Sequence, residues 1–325
     1  MKERPGHIDQ RDLARILREQ WGLVPGRLRH LPVGFGDHHW ELTGAAGGRW
    51  FVTVAELAGG WRGAGPAAGF VDLRASMETV TALRRAGLEF AVAPVPTVGG
   101  QALARLGAGH AVAVFPYVGR AAGDFGDGLP ERDRLALIAI LARLHGATPL
   151  ARRTALARSP TPASRPALEA ALGELGQPWS GGPYSEPARR LLARQAARLG
   201  RALARFDELV RAAAGSGPPV ITHGEPHPGN IMRSGGGLLL IDWDTVGLAL
   251  PERDLWLAAG DDARAADCYA ELTGRRVSGA AMDLYRLRWS LDDIALSVGD
   301  FRGPHEQDED TELAWAGLTE EMGAI

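Results

Sequence analysis

Residues 222–232 read THGEPHPGNIM, and residues 238–244 read LLLIDWD. The first stretch is rich in glycine and proline, which predicts a loop, and it carries Glu225 with Asn230 five residues later. The apolar run in the second stretch predicts a short strand that delivers Asp242. Amide and carboxylate oxygens are the ligand types that Mg²⁺ prefers. The pattern therefore predicts a Mg²⁺ site formed by Asn230 and Asp242, with Glu225 beside it.

Two further motifs accompany these stretches, LARLH at residues 141–145 and PERDLW at residues 251–256. Together with them, the chain resembles the aminoglycoside phosphotransferase family, and PERDLW makes it most similar to the spectinomycin phosphotransferase branch. The resemblance covers about residues 30–300. It implies an α+β, two-lobed protein-kinase-like fold. The lobes expected are a mainly antiparallel β lobe at residues 1–117 and a mainly α lobe at residues 118–325.

The resemblance also implies an activity, the transfer of a γ-phosphoryl group from ATP or GTP to a hydroxyl of a small molecule. In such enzymes an acid contacts the acceptor hydroxyl, and an amide and a second acid hold Mg²⁺ against the nucleotide phosphates. These roles fall on Glu225, Asn230 and Asp242. The family usually has aspartate at the first of these positions. Both acids have an ordinary pKa of about 4, so glutamate differs from aspartate mainly in its longer side chain, which reaches one methylene further. We interpret Glu225 as a working base.

One expected cation is absent from the N-terminal lobe. Kinases steady the nucleotide phosphates with a strand lysine that pairs with a helix glutamate. Lys2 is the only lysine of this chain, and Thr53 or a neighbour in RWFVTVAEL occupies the place that the resemblance gives to lysine. Glu78 would be the partner glutamate. The sequence offers four replacement cations without choosing among them: His38, His39, Arg62 and Arg74.

A glycine-containing segment, GFGDHHW at residues 34–40, lies where a loop would cover the phosphates. Glycines let backbone N–H groups approach an anion closely, although an ordinary hairpin turn is the alternative. The resemblance further implies that the adenine edge meets backbone groups in the hinge FPYV. The predicted nucleotide contacts are Gly34, Gly36, His38, Thr53 and Tyr117.

The acceptor site is expected on the helical lobe, in a segment where acids stand beside aromatics. Asp292 and Asp293 lie close to Trp289 in RWSLDDIAL. Carboxylates beside aromatic rings suit a cationic, hydroxyl-bearing ligand through ion pairs and cation–π contacts. The alternative is a charged helix face with buried aromatics. We predict Trp289, Asp292 and Asp293 as acceptor-binding residues.

The composition bears on where the protein is expected to act and on what it is expected to bind. The chain has 325 residues, 45% hydrophobic and 23% charged, as in globular proteins. A formal net charge of −3 argues against broad nucleic-acid binding. There is no apolar run of about 18 residues and no signal-peptide pattern at the start. We therefore expect a cytoplasmic protein with Mg²⁺ and ATP or GTP as cofactors and with no membrane partner; the oligomeric state is left open.

Local patterns predict the elements around the motifs. Asp9 is expected to cap a helix that ends near Gly22, and strands at residues 31–42 and 49–57 are expected to form a hairpin. A helix is also expected to begin at Asp72 or Ser76, and a further strand is expected at residues 91–98.

Two other function classes compete with the phosphotransferase. A kinase-like protein that binds a nucleotide or metabolite without phosphoryl transfer would explain both the absent lysine and Glu225. Metal-dependent hydrolysis is the other alternative, and it leaves the order of a β lobe followed by an α lobe unexplained. Its ligands would be His223, Glu225, His227 and Asp242.

Overall fold

A five-stranded sheet forms the N-terminal part of the computed structural model, which describes residues 5–34, 36–58, 65–119 and 122–325. Its strands are β1 (Pro25–Leu31), β2 (His38–Gly44), β3 (Arg49–Glu56), β4 (Ala104–Leu106) and β5 (His110–Pro116). They are antiparallel, in the order β1-β2-β3-β5-β4. Instead of one strand at residues 31–42, the structure has two strands with a turn between them, because Pro32 and the glycines that follow interrupt the pairing.

The first helix, α1 (Gln10–Trp21), confirms the prediction for this segment. The side chain of Asp9 accepts a hydrogen bond from the backbone N–H of Arg11 at 2.7 Å, which satisfies one exposed donor of the first turn. Gly22 ends the helix with a left-handed φ of 66°. The helix and one face of the sheet share an apolar core, which includes Leu13, Leu17, Trp40, Val52, Val54 and Val112.

The second helix, α2 (Pro66–Arg85), begins before the predicted start at Asp72 or Ser76. Proline is well suited to the first helical position, because the N–H that it lacks would have no partner there. Gly69 lies so close to β3 that a Cβ atom would be 2.2 Å from the carbonyl oxygen of Leu57. Gly69 therefore permits close packing of the helix.

The strand predicted at residues 91–98 is wrong. Pro94 and Pro96 remove two backbone donors from this segment, so a regular ladder cannot form. The segment is held by separate contacts instead. Ala91 forms an isolated bridge to Leu240, and the N–H of Val95 donates to a carbonyl of β5 at 2.7 Å.

Helices dominate the rest of the chain, which confirms the expected order of a β part followed by a mainly helical part. The helices are α3 (Glu131–Gly146), α4 (Thr148–Ala151), α5 (Arg165–Gly173), α6 (Ser185–Ala213), α7 (Glu252–Ala259), α8 (Ala263–Thr273), α9 (Gly279–Arg302) and α10 (Glu309–Ala324). Between α6 and α7 lie the short strands β6 (Val220–Thr222), β7 (Ile231–Ser234), β8 (Gly237–Leu240) and β9 (Gly247–Ala249).

The chain divides into two compact units. The first consists of Met1–Arg158 and Pro218–Val277, so the sheet and the four short strands belong to one unit. The second consists of Ser159–Gly217 and Ser278–Ile325, in which α9 packs against α5, α6 and α10. The lobe boundary between residues 117 and 118 stays a prediction. None of the helices in the described ranges has the length and apolar character that crossing a bilayer requires.

Candidate active site

A β-hairpin places the backbones of the two predicted metal ligands side by side. Strands β7 and β8 pair antiparallel, with Ile231 opposite Leu240. One step further along, the N–H of Ile241 donates to the carbonyl oxygen of Asn230 at 3.0 Å. Asp242 is the next residue after this bond. Asn230 and Asp242 therefore leave the open end of the same hairpin as neighbours.

The loop before the hairpin fixes the orientation of the Asn230 side chain. Its amide nitrogen donates to the carbonyl oxygen of Glu225 at 3.0 Å and lies 3.2 Å from Nε2 of His227. Burial lowers the pKa of His227 to about 4, so the ring is neutral at pH 7 and its Nε2 can accept. Because the amide nitrogen points into the loop, the amide oxygen is the atom that can bind a metal.

His223 joins the same loop to the strand that carries Asp242. Nε2 of its ring lies 2.9 Å from the carbonyl oxygen of Ile241, and Nδ1 accepts a hydrogen bond from the N–H of Glu225 at 3.2 Å. Burial lowers its pKa, which favours the neutral ring with the proton on Nε2. Both nitrogens are thus used inside the loop. This arrangement does not present His223 to a metal, as the hydrolysis hypothesis requires.

Asp242 has an unusual backbone. It is exposed, and its φ of 61° is the only positive value at a non-glycine position in the part of the chain that the structure describes. A left-handed conformation costs a residue with a Cβ on the order of 1–3 kcal/mol and is typical of functional positions. Trp243 beside it is buried, donates to the carbonyl oxygen of Leu240 at 2.9 Å and contacts the ring of His223. The buried indole holds the backbone turn that exposes Asp242.

A second buried carboxylate, Asp254 at the start of α7, holds the other side of the loop. It accepts from the N–H of Gly224 at 2.6 Å and from the N–H of His223 at 2.9 Å. Its third contact is Nε2 of His145, at 3.0 Å. Burial alone raises the pKa of Asp254, but the bond from His145 and the nearby positive groups more than offset this and lower it. Asp254 thus ties its helix to the loop, and the carboxylate is ionised.

The sequence reasoning gave no role to His145, which belongs to LARLH in α3. Its Nδ1 lies 2.7 Å from the hydroxyl of Tyr269 in α8, and burial raises the pKa of that hydroxyl. Its imidazole therefore joins α3, α7 and α8. The sequence could have indicated this role, because His145 lies on the buried face of α3, where a polar ring needs a hydrogen-bond partner.

Helix α2 is joined to the segment after Asp242 by a second set of bonds. The hydroxyl of Ser76 donates to the carbonyl oxygen of Asp244 at 2.7 Å. The guanidinium of Arg158 donates to Ser76 at 2.8 Å, to Asp72 at 2.6 Å and to the carbonyl oxygen of Val246. These bonds fix the position of the segment that carries the second metal-ligand candidate.

The glycine turn between β1 and β2 lies beside a histidine that reaches the expected lysine position. Gly34 and Gly36 have left-handed φ values of 74° and 82°. A Cβ atom at Gly34 would be 2.9 Å from Nε2 of His39. The other ring nitrogen of His39, Nδ1, lies 3.2 Å from the hydroxyl of Thr53, its cross-strand partner. His39 thus links Thr53 to the turn.

His38 lies on the opposite face of the sheet, because successive side chains of a strand alternate. Its ring lies near the rings of His7 and Trp40, on the side of the core. Burial, with the neighbouring histidines, lowers the pKa of His38 to about 4, so the ring is neutral at pH 7. The structure does not bring His38 and Thr53 together.

The other predicted nucleotide residues have local partners. The guanidinium of Arg49 lies 3.8 Å from the centre of the Tyr117 ring. Glu78 forms an exposed pair with Arg74 on its own helix, with 3.7 Å between nitrogen and oxygen. Arg62 and Lys2 lie outside the described residues.

The predicted acceptor residues lie on α9, in the second unit. Asp292 accepts from the hydroxyl of Ser164 and lies 3.3 Å from the guanidinium of Arg288. The carboxyl group of Asp293 has a raised pKa. Burial raises the pKa of Asp293 to about 7, and the nearby carboxylates of Glu321 and Asp292 add to the rise, while a bond from Trp289 opposes it. One carboxylate oxygen of Glu321 is buried without a hydrogen-bond partner in the described ranges. This unit thus contains a partly buried acidic pair beside an indole.

Comparisons with known proteins identify the family and the fold of this chain. The sequence pattern of the phosphotransferase enzyme family matches residues 27–290. Protein StrN of Streptomyces griseus is 29% identical over 351 aligned residues, which cover 96% of this chain and 93% of StrN. Spectinomycin phosphotransferase in complex with ADP and spectinomycin is 16% identical, with a TM-score of 0.74 over 97% of this chain and 94% of its own. An amicoumacin kinase in complex with AMP-PNP is 14% identical, with a TM-score of 0.60 over 98% and 94% of the two chains.

Proposed function

This chain belongs to the phosphotransferase enzyme family, and from this premise we propose that it transfers the γ-phosphoryl group of ATP or GTP to a hydroxyl of a small cationic molecule. The observation that carries the proposal is the hairpin bond between Ile241 and Asn230, which makes Asn230 and Asp242 neighbours next to the Glu225 loop. As a soluble kinase of small metabolites or drugs, it would act in the cytoplasm.

Mg²⁺ is the metal that these residues fit. The amide oxygen of Asn230 and the carboxylate of Asp242 are hard oxygen ligands, and the two histidines of the loop are engaged in bonds within it. Bound Mg²⁺ would neutralise charge on the β- and γ-phosphates. Glu225 would orient the acceptor hydroxyl and take its proton as the oxygen attacks phosphorus.

We assign His39 to the place of the missing lysine. If Nδ1 accepts from the Thr53 hydroxyl, the proton lies on Nε2, which is the nitrogen beside Gly34. An N–H donor under a glycine turn is placed to meet a phosphate oxygen, as are the backbone groups of Gly34 and Gly36. Tyr117 would meet the adenine through its backbone.

The acceptor is proposed to be cationic because of the acidic pair in the second unit. Burial raises the pKa of Asp293 and the nearby carboxylate of Glu321 adds to the rise, so a ligand cation would relieve the repulsion between the two groups. Trp289 could add a cation–π contact. The spectinomycin complex among the structural relatives makes aminocyclitols the first acceptors to test.

Nucleotide binding without transfer remains the second candidate, because Thr53 stands where the lysine is expected. The test is to incubate the protein with Mg·ATP or Mg·GTP and a panel of aminocyclitols and aminoglycosides, and to detect phosphorylated product by mass spectrometry. Product formation that disappears in Asp242→Asn supports the enzyme. Nucleotide binding by calorimetry with no product across the panel supports the binding protein.

One further variant and two control variants sharpen this test. Asp267→Asn changes an exposed aspartate on α8 and should leave both binding and turnover intact. His39→Ala should weaken Mg·ATP binding, whereas His38→Gln, one residue away on the other face of the sheet, should not. Full turnover in Asp242→Asn would overturn the proposed function, and equal effects of the two histidine variants would overturn the assignment of His39.

A further inference from the structure

Three side chains of metal-ligand type meet at one corner of the N-terminal sheet. His7, Glu56 and His110 each offer one ligand atom, and these atoms lie within 4.8 Å of one another. Nε2 of His7 and a carboxylate oxygen of Glu56 are 4.0 Å apart. None of these residues belongs to the loop or the hairpin of the candidate active site.

The backbone holds this corner in place. Glu56 and His110 are directly opposite each other in the β3–β5 ladder, so their side chains project from the same face with Cβ atoms about 5 Å apart. The N–H of Leu57 donates to the carbonyl oxygen of Gly109 at 2.9 Å and extends this pairing by one step. His7 is placed by its neighbour Ile8, which is buried in the core shared with α1.

The rings are spaced as two ligands of one ion would be. The centroids of His7 and His110 are 5.2 Å apart, with 24° between the ring planes. With metal–nitrogen bonds of about 2.1 Å and a tetrahedral angle, two such rings would have centroids roughly 5 Å apart and nitrogens roughly 3.4 Å apart. The side chains of His7 and Glu56 are 52% and 55% exposed, so small rotations can bring their ligand atoms to this spacing.

Buried ring nitrogens supply a second, independent observation. Nε2 of His110 and Nδ1 of His38 are buried and have no hydrogen-bond partner among the residues that the structure describes. His38 is only 5% exposed, and its ring lies 5.8 Å from the ring of His7. Buried polar atoms are rarely left without a partner, and a bound ion is one of the groups that can satisfy them.

We propose that His7, Glu56 and His110 bind one divalent transition-metal ion of the zinc class. Two imidazoles and a carboxylate are the ligand set of zinc and its neighbours, whereas Mg²⁺ prefers oxygen ligands alone. The ion would fasten the segment before α1 to the ends of β3 and β5. His38 lies at the edge of this site, where it can complete the coordination.

The test uses the full-length protein and Co²⁺, whose visible absorption reports its ligand geometry. One equivalent of Co²⁺ should give an intense tetrahedral spectrum that Zn²⁺ abolishes and Mg²⁺ does not. Glu56→Gln and His7→Ala change exposed side chains, so the fold is retained, and each should weaken Co²⁺ binding by at least about tenfold. His110→Ala should do the same. Zn²⁺ should raise the melting temperature of the unmodified protein but not of the variants.

His30→Gln is the matched control, because His30 lies on the same face but outside the three-residue group. This variant should keep the Co²⁺ spectrum and the affinity. The proposal is overturned if the unmodified protein gives no tetrahedral spectrum, if the three ligand variants bind as tightly as the unmodified protein, or if His30→Gln loses binding as they do.

Discussion

At the scale of single residues, variants of Glu225 test whether a glutamate can act as the general base of the proposed phosphoryl transfer. Replacing a general base by its amide removes the proton acceptor and leaves the shape, so Glu225→Gln should lower kcat by about 10²–10⁴-fold. Glu225→Asp restores the acid but withdraws it by one methylene, and should lower kcat by about 10²-fold through misplacement. Steady-state kinetics with nucleotide affinity from calorimetry would measure both. Unchanged kcat in Glu225→Gln would exclude the role of a base.

Asp293 makes a prediction about stability and pH. Its pKa is raised to about 7 in the folded chain, so between pH 4 and pH 7 the folded state holds a proton that the unfolded state has lost. The contribution of this group to stability is therefore full below about pH 4 and is lost as the pH rises toward 7. In Asp293→Asn the loss is absent, and at pH 8 the melting temperature should exceed that of the unmodified protein by about 2 °C or more.

Thermal denaturation at pH 5 and at pH 8 would measure this difference. Asp267→Asn serves as the control, because that aspartate is exposed, and its pH profile should match that of the unmodified protein. If Asp293→Asn also keeps the pH profile of the unmodified protein, the pKa of Asp293 is not raised in the folded chain.

At the scale of elements, Asp254 joins α7 to α3 and to the loop of Gly224. In Asp254→Asn, the new amide would place a donor against the N–H groups and the imidazole that the carboxylate now satisfies. Loss of one partner from a buried pair costs about 3–5 kcal/mol, which urea denaturation would detect. By contrast, Glu131→Gln, which removes an exposed pair with Arg264, should cost less than about 1 kcal/mol. Similar costs for the two variants would contradict the role given to Asp254.

The elements also explain what the sequence could and could not predict. The loop that carries Asn230 and the strand that delivers Asp242 were predictable, since both lie within one short motif, whereas strand β7 was not predicted. The bond from His145 to Asp254 joins residues 109 positions apart, and only the packing of α3 on α7 brings them together. The choice of His39 over His38 as the replacement for the lysine depends on which face of β2 each side chain occupies. That face is known only once the pairing of β2 with β3 is known.

At the scale of the whole molecule, the proposed nucleotide and acceptor groups belong to different units of the chain. Mg·ATP should therefore slow amide hydrogen exchange at residues 223–230 and 241–246 of the first unit. A cationic acceptor alone should slow exchange around residues 289–293 of the second unit. Mass spectrometry of exchanged peptides would separate the two effects. Protection by acceptor that is confined to the first unit would remove the assignment of Asp293.

The threonine at position 53 has a practical consequence for how this protein is detected. Chemical surveys of kinases commonly attach a tag through an amine beside the nucleotide phosphates, using acyl-phosphate derivatives of ATP. Here the strand offers a hydroxyl and an imidazole, and Lys2 is the only lysine of the whole chain. Such a reagent should leave no ATP-protected tag on any peptide from the strands around Thr53, so a survey based on amine labelling would not detect this protein.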